Sequence, residues 1–216
     1  MNTTIRHFLT ATASVAVVLA LAGCGGSNTS VSSDGSMPGM PGMTSTSMTS
    51  GSGSQDAAAH NQADVTFATN MIPHHQQAVE MADLALKQAS NAQVKALAGD
   101  VKTAQDQEIQ TMTGWLTGWE QPVPTPMTGH DMSSMGGMDG MMSAQEMQQL
   151  QAATGAAFDR MWLQMMTKHH QGAVAMATSE THQGQNANAK ALAQQIITAQ
   201  NKEIATMTQL LPTITG

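Results

Sequence analysis

The sequence is short of thiols and aromatic rings: it has one cysteine and no tyrosine, with three phenylalanines and three tryptophans in 216 residues. The single cysteine, Cys24, excludes an internal disulfide and a metal site built from several thiolates. Because large rings are scarce, a core has to be made of alanine, leucine, isoleucine, valine and methionine. Methionine occurs 20 times and is the soft donor that remains for a metal ion.

Basic residues are scarce as well. The chain carries 8 lysines and arginines against 15 aspartates and glutamates, a net charge of −7. This balance argues against binding to nucleic acid or to anionic lipid headgroups, and it mildly favours cations as ligands.

The motifs of common enzyme classes are missing from the sequence. It contains no Gly-x-Ser-x-Gly turn and no glycine-rich phosphate-binding loop that opens a helix. A ferritin-like di-iron site needs a glutamate three residues before a histidine, and Met71, Ile72, Met166 and Thr167 occupy those positions here. We therefore expect a binding protein and not an enzyme.

The N-terminus predicts export and a lipid anchor. Residues 1–23 combine a short positive start with an apolar run that is too short to span a bilayer, which is typical of a signal peptide. Leu21-Ala-Gly-Cys24 resembles a bacterial lipobox, so we expect Cys24 to be lipidated and to hold the protein at the cell envelope. Residues 24–55 are rich in glycine, serine and methionine and predict a disordered tether.

Two segments of the remaining chain repeat each other with an offset of 95 residues. Met71-Ile-Pro-His74-His75-Gln matches Met166-Thr-Lys-His169-His170-Gln, and Lys95-Ala-Leu-Ala matches Lys190-Ala-Leu-Ala. About half of the positions in 67–116 are identical to their partners in 162–211, which indicates a duplicated unit. The residues shared by the two copies include His, Met, Gln and Glu, whose side chains can bind metals.

Alanine, glutamine, methionine and leucine dominate both copies, and the apolar positions recur at spacings of three and four, which predicts helices. Each copy then forms an αα-hairpin, 56–119 and 143–211, and together they form an all-α four-helix bundle with a linker at 120–142. Ser90-Asn-Ala-Gln93 and Ser143-Ala-Gln-Glu146 have the form of capping boxes. We expect the third helix to run unbroken from about 144 to about 182.

The repeat places imidazole, thioether and carboxylate groups on facing helical stripes, a combination that suits copper and cuprous copper above all. The predicted bundle ligands are Met71, His74, His75, Met81, Glu108, Met112 and their copies Met166, His169, His170, Met176, Glu203, Met207. The linker offers a second set of predicted soft ligands, His130, Met132, Met135 and Met138. They lie among glycines and serines, where we expect no apolar core that would explain the methionines by packing.

Structural roles compete with these assignments. Bundle methionines can be core filler, and Glu108 and Glu203 can orient the imidazoles instead of binding metal. Gln105 and Gln200 are expected to hydrogen-bond inside the bundle. The alternative function is a helical binding module without metal, whose Met-rich surface holds a protein or peptide partner while the histidines only satisfy core polar groups.

The pattern Phe67-x-x-x-Met71-Ile-x-His74-His75-x-x-Ala-x-x-Met81-Ala resembles the bacterial family called domain of unknown function 305, and the resemblance covers roughly residues 56–211. It implies a ferritin-like four-helix bundle and export. A periplasmic copper-binding member from a cyanobacterium implies a role in copper resistance. Together with the ligand argument, it predicts an extracytoplasmic copper-binding lipoprotein that buffers copper or hands it to a copper-trafficking protein.

Overall fold

The computed structural model describes residues 59–125 and 138–215. The predicted signal peptide, Cys24, the tether and the linker residues His130, Met132 and Met135 lie outside the described residues. These two ranges contain five α-helices, followed by a 3-10 turn at Leu211–Thr213: α1 Gln62–Gln88, α2 Ala92–Gly118, α3 Ala144–Ala152, α4 Gly155–Gln183 and α5 Ala187–Leu210. The four long helices confirm the predicted bundle, and α3 is a short addition to it.

The bundle consists of two tightly packed hairpins. Helix α1 packs along α2, and α4 packs along α5 to a similar extent. The hairpins meet chiefly through α1 and α4, whereas α2 and α5 contact each other little. The first helix of each copy therefore lies inside the molecule. Among the helices in the described ranges, none is both long and apolar enough to cross a membrane.

The apolar core forms two clusters that are separated along the helices. One cluster takes residues 67–72 of α1 and 173–177 of α4, and the other takes 78–89 of α1 and 158–166 of α4. Trp162 and Phe158 are the largest buried side chains of the second cluster. The paired histidines fall between the two clusters on both helices, at mid-height in the bundle.

Of the two capping boxes predicted from the sequence, one is confirmed and one is wrong. Ser143 caps α3 and exchanges hydrogen bonds with Glu146, so that capping box is confirmed. The prediction of a capping box at Ser90 was wrong. Asn91 is the cap of α2 and accepts hydrogen bonds from the backbone of Gln93 and Val94. The Ser90 hydroxyl instead donates to Asp159 of the other hairpin.

The prediction of one unbroken third helix was also wrong. Helix α3 ends at Ala152, and α4 begins at Gly155 after a break in which Thr154 is extended. Gly155 has a φ of 58°, a left-handed conformation that glycine adopts without strain. The break separates α3, which continues from the linker, from α4, which is one of the four helices of the bundle.

Candidate metal centre

A layer of polar side chains crosses the middle of the bundle between the two apolar clusters. Each long helix contributes two residues to it, which are adjacent on α1 and α4 and three apart on α2 and α5. Its members are His74, His75, Gln105, Glu108, His169, His170, Gln200 and Glu203. Six of these eight side chains are buried, and the two glutamates are less than one-fifth exposed. Such a layer is costly to desolvate unless its groups are paired with each other or with a ligand.

His74 and His169 form the centre of the layer. Their ring centroids lie 3.8 Å apart with the planes inclined by 40°, and both residues have no exposed surface. None of their four ring nitrogens makes a hydrogen bond of normal geometry. Most buried polar groups in proteins are hydrogen-bonded, so four buried nitrogens without such partners make this pair the candidate ligand-binding position of the layer.

Both central imidazoles are held in the neutral form. The pKa of His74 is lowered to about 3, chiefly by burial and in part by the neighbouring His75. Burial likewise lowers the pKa of His169 well below its usual value, and His74 and His170 add to the effect. A neutral imidazole has a free lone pair, so the pair is in the protonation state that binds metals.

The outer histidines are paired with carboxylates. The distance from His75 Nε2 to the nearer Glu108 carboxylate oxygen is 2.7 Å, and His170 Nε2 lies 2.7 Å from Glu203 in the same way. The Nδ1 atoms of both rings are buried without a partner. A neutral imidazole that donates Nε2–H to a carboxylate carries its lone pair on Nδ1. Glu108 and Glu203 are therefore placed where they can orient the rings, which is the arrangement in one of the two sequence interpretations.

The predicted methionine ligands divide between the two apolar clusters. Met71 and Met112 are fully buried in one cluster, and Met81, Met166 and Met207 are fully buried in the other. Met176 is only half-buried and lines a surface pocket beside Phe67. The structure thus brings the four histidines and two glutamates into one layer and sets the thioethers above and below it.

The histidine layer is not a preformed cage. Within residues 59–125 and 138–215, no three histidine, cysteine, aspartate or glutamate side chains are placed to hold one metal ion. The donors that fit a soft ion are two closely stacked neutral imidazoles with thioethers in the adjacent layers. This set of donors suits a soft ion with a low coordination number, which binds nitrogen and sulfur. It suits a hard divalent ion, which prefers oxygen ligands, less well.

Gln105 and Gln200 do not hydrogen-bond as expected. Neither amide atom of Gln105 has a partner, and the Gln200 carbonyl oxygen has none, although both residues are nearly fully buried. They add to the unpaired polar groups of the site.

The end of the linker packs on the bundle next to the histidines. We call residues 138–142 the strap. Met142 is buried with 2% exposure, Met141 with 9%, and Met138 packs against the same cluster. The argument that packing does not explain the linker methionines was therefore wrong for these three, including the predicted ligand Met138.

Two residues that hold the strap were missed by sequence reasoning. The Gln77 side chain donates to the Met142 carbonyl at 2.8 Å and accepts from the Met142 N–H at 2.7 Å. Gly172 contacts the backbone of Asp139 and Gly140. Gln77 and Gly172 occupy the same position in the two copies of the repeat, 95 residues apart. The difference between glutamine and glycine at this position is the sequence signal from which they could have been identified.

Comparison with known proteins agrees with the helical architecture. The family profile of the "Domain of unknown function (DUF305)" matches residues 64–211. A Streptomyces coelicolor DUF305 protein, provisionally described as secreted, is 36% identical, with a TM-score of 0.63 over 69% of this chain and 92% of its own. A DUF305 fragment from Deinococcus radiodurans is 31% identical, with a TM-score of 0.62 over 70% of this chain and 97% of its own.

A third similar structure is that of CopM in the Cu(I)-bound form. It is 31% identical, with a TM-score of 0.59 over 71% of this chain and 98% of its own. Structures of CopM in the Cu(II)-bound and silver-bound forms are similar to this chain as well. Among curated proteins, none matches the chain significantly.

Proposed function

We propose that this chain, which belongs to the DUF305 family, is an extracytoplasmic copper-binding protein that buffers copper or hands it on. Its ligands are the imidazoles of the central layer and methionine thioethers. Support from the relatives is that CopM has been solved with Cu(I), Cu(II) and silver. Support for a place outside the cytoplasm is the signal-like N-terminus and the secreted relative.

The observation that carries the proposal is the stack of His74 on His169. Two neutral rings with 3.8 Å between centroids and four unpaired nitrogens are expensive to bury. Neither ring donates to the other in a normal hydrogen bond, so they do not compensate each other. A bound cation would accept the lone pair of each ring and so offset part of that cost.

Cuprous copper fits these donors best. Imidazole and thioether are both soft enough for Cu(I), and the buried methionines lie directly above and below the histidine layer. Hard divalent ions prefer carboxylate and carbonyl oxygen, and here the two nearby carboxylates are already engaged by His75 and His170. We also propose that Cys24 carries a lipid anchor, that the bundle is a binding protein without catalysis, and that a trafficking protein receives the copper.

The test is a competition titration of Cu(I) with a coloured chelator. We compare the wild-type protein with the double variant His74→Leu/His169→Leu. The matched control is His182→Leu, which removes an exposed histidine from the same helix as His169. Loss of even a supporting residue commonly costs roughly ten- to a hundredfold in metal affinity, so loss of both central ligands should cost at least about a hundredfold.

The linker is tested separately with Met132→Leu/Met135→Leu/Met138→Leu. A double histidine variant that binds Cu(I) as tightly as the control contradicts the bundle site and leaves copper binding to the linker. Absence of Cu(I) binding in the wild-type protein contradicts the function altogether and favours a metal-free binding module.

A further inference from the structure

The strap reaches the bundle by a contact between two backbones. The Met141 N–H donates to the Met138 carbonyl at 3.2 Å and closes a four-residue turn. Gly140 is the third residue of this turn and has a φ of 86°. A Cβ on Gly140 would lie 2.8 Å from the Lys168 carbonyl oxygen and 3.0 Å from that of His169. The turn therefore rests directly on the segment of α4 that carries the central histidine.

The contact is equally close from the side of α4. A Cβ on Gly172 would lie 1.9 Å from the Asp139 carbonyl oxygen and 2.6 Å from its carbonyl carbon. Both atoms belong to the backbone, so a side chain at this position could not be accommodated by a rotamer change. Glycine at 172 is what allows the strap to lie where it does.

The same carbonyl connects the strap to the histidine pair. The Asp139 carbonyl lies beside the His74 ring, where it partly offsets the fall in that ring's pKa. It does not reach a hydrogen bond of normal geometry. One backbone group thus touches Gly172 on α4 and approaches His74 on α1, so the strap lies across the seam between the helices that carry the two central rings.

The two copies of the repeat diverge at the point where the strap binds. Position 77 of α1 and position 172 of α4 correspond to each other, three residues after the central histidine in each copy. In one copy the residue is a glutamine that holds the Met142 backbone with two hydrogen bonds. In the other it is a glycine that clears space for Asp139 and Gly140. The two positions therefore both contribute to the contact between the strap and the bundle, one through hydrogen bonds and the other through the absence of a side chain.

We propose that the strap, residues 138–142, controls the access of a soft monovalent cation to the His74–His169 pair. The strap lies in the seam between α1 and α4. It has to move away from Gly172 and Gln77 before the cation can reach the two rings. This inference rests on the proposed function, because it concerns the route by which that ion arrives. Gly172 and Gln77 are positioning residues that set how often the strap leaves the seam.

The test displaces the strap in the full chain and follows it without metal. Gly172→Ala places a methyl group against the Asp139 backbone. Gly114→Ala is the matched control, since it is also a helical glycine but a Cβ there meets nothing within 4 Å. Both changes raise helix propensity equally, so their difference reports on the strap. Gln77→Met is a second variant that removes the bonds to Met142 without adding charge.

The first measurement is hydrogen exchange at the Met142 amide, which is bonded to Gln77. We expect Gly172→Ala and Gln77→Met to accelerate it about tenfold or more, with no change in Gly114→Ala. The second is stopped-flow uptake of silver(I), a redox-inert probe, followed by the NMR signals of the His74 and His169 rings. The same two variants should take up silver at the rings about tenfold faster than the control.

The outcomes separate the two proposals. Unchanged exchange at Met142 in both variants contradicts the docking of the strap. Faster exchange with unchanged silver uptake contradicts its control of access while leaving copper binding intact. Failure of the rings to bind silver in the wild-type protein overturns the proposed function, and the access role with it, whatever the exchange rates show.

Discussion

At the scale of single residues, the central layer shows a conflict between stability and function. His74 and His169 are buried with four unpaired nitrogens, and Gln105 adds two more unpaired atoms. Each such group commonly costs about 1–3 kcal/mol. A chain that needed only a stable bundle would place apolar side chains here, as it does in the clusters on either side.

Removing the central imidazoles should therefore stabilise the metal-free protein. We expect His74→Leu/His169→Leu to raise the free energy of unfolding by roughly 1–3 kcal/mol, because leucine has a similar volume and leaves no polar atom unpaired. Urea denaturation at neutral pH in the presence of a chelator measures it. His182→Leu, at an exposed site, should change nothing, and a loss of stability in the double variant would contradict the account of an unsatisfied layer.

Glu180 on α4 is a second buried polar group with an unusual protonation state. It is 2% exposed, and its pKa is raised to about 8, chiefly by burial and in part by a hydrogen bond to Asp64 and that carboxylate's charge. Its oxygens receive no N–H or hydroxyl hydrogen bond. Two carboxyl groups can bond only when one is protonated. The pKa of Asp64 is lowered by bonds from the backbone and Glu180 that outweigh its burial, so the proton resides on Glu180.

This assignment predicts the pH dependence of stability. Between the usual glutamate pKa of 4.5 and about 8, the folded protein keeps the Glu180 proton and the unfolded chain loses it. The free energy of unfolding must therefore fall as pH rises through this window. Above about 7.5, one unit beyond the usual histidine pKa of 6.5, His74 and His169 are almost entirely neutral in both states, so the interval from there to about 8 isolates Glu180.

Urea denaturation across that interval checks the sign. Glu180→Gln keeps a neutral group of the same shape and should abolish the downward slope, whereas the exposed Glu120→Gln should keep it. A wild-type protein whose stability is level or rises between these pH values would refute a protonated Glu180.

At the scale of elements, each hairpin holds the start of a helix in the other. Asp64 of α1 accepts from the Asn186 N–H at 2.9 Å, where α5 begins. Asp159 of α4 accepts from the Asn91 N–H at 2.9 Å, where α2 begins, and from the Ser90 N–H at 3.0 Å. The two aspartates are 95 residues apart in the repeat. The hairpins are thereby joined at both ends as well as through the α1–α4 packing.

Removing one of these connections should destabilise the whole bundle. Asp159→Ala leaves three partly buried donors without a partner, counting the Ser90 hydroxyl, and we expect a loss of roughly 2 kcal/mol. Thermal denaturation measures it. Asp100→Ala, an exposed aspartate on α2, is the control and should change the free energy of unfolding by about 0.5 kcal/mol or less. Equal effects of the two changes would show that the contact between hairpins contributes nothing.

Element boundaries were predictable where local chemistry decides them. The ends of α2 and α5 and the Ser143 cap follow from helix propensity and capping preferences. The break before Gly155 was missed, because a pair of weak helix formers such as Thr154-Gly155 inside a helical pattern does not by itself decide whether the helix continues or stops. Ser90 was misassigned for a similar reason, since its true partner, Asp159, lies 69 positions away.

At the scale of the whole molecule, the repeat made the bundle and the histidine layer predictable. The 95-residue offset pairs His74 with His169, and helical periodicity places both on an inward face. What the repeat could not predict is where its copies differ. Gln77 and Gly172 act together on one segment of the linker, and that contact depends on the relative placement of α1 and α4, which no local pattern encodes.

Copper binding by the central imidazoles is tested most directly by a crystal structure of the Cu(I)-loaded protein with anomalous scattering at the copper edge. We predict an anomalous peak within bonding distance of a ring nitrogen of His74 or His169, with the rings moved from their stacked arrangement. A structure in which copper occupies only linker methionines, while His74 and His169 stay stacked and unligated, would contradict it.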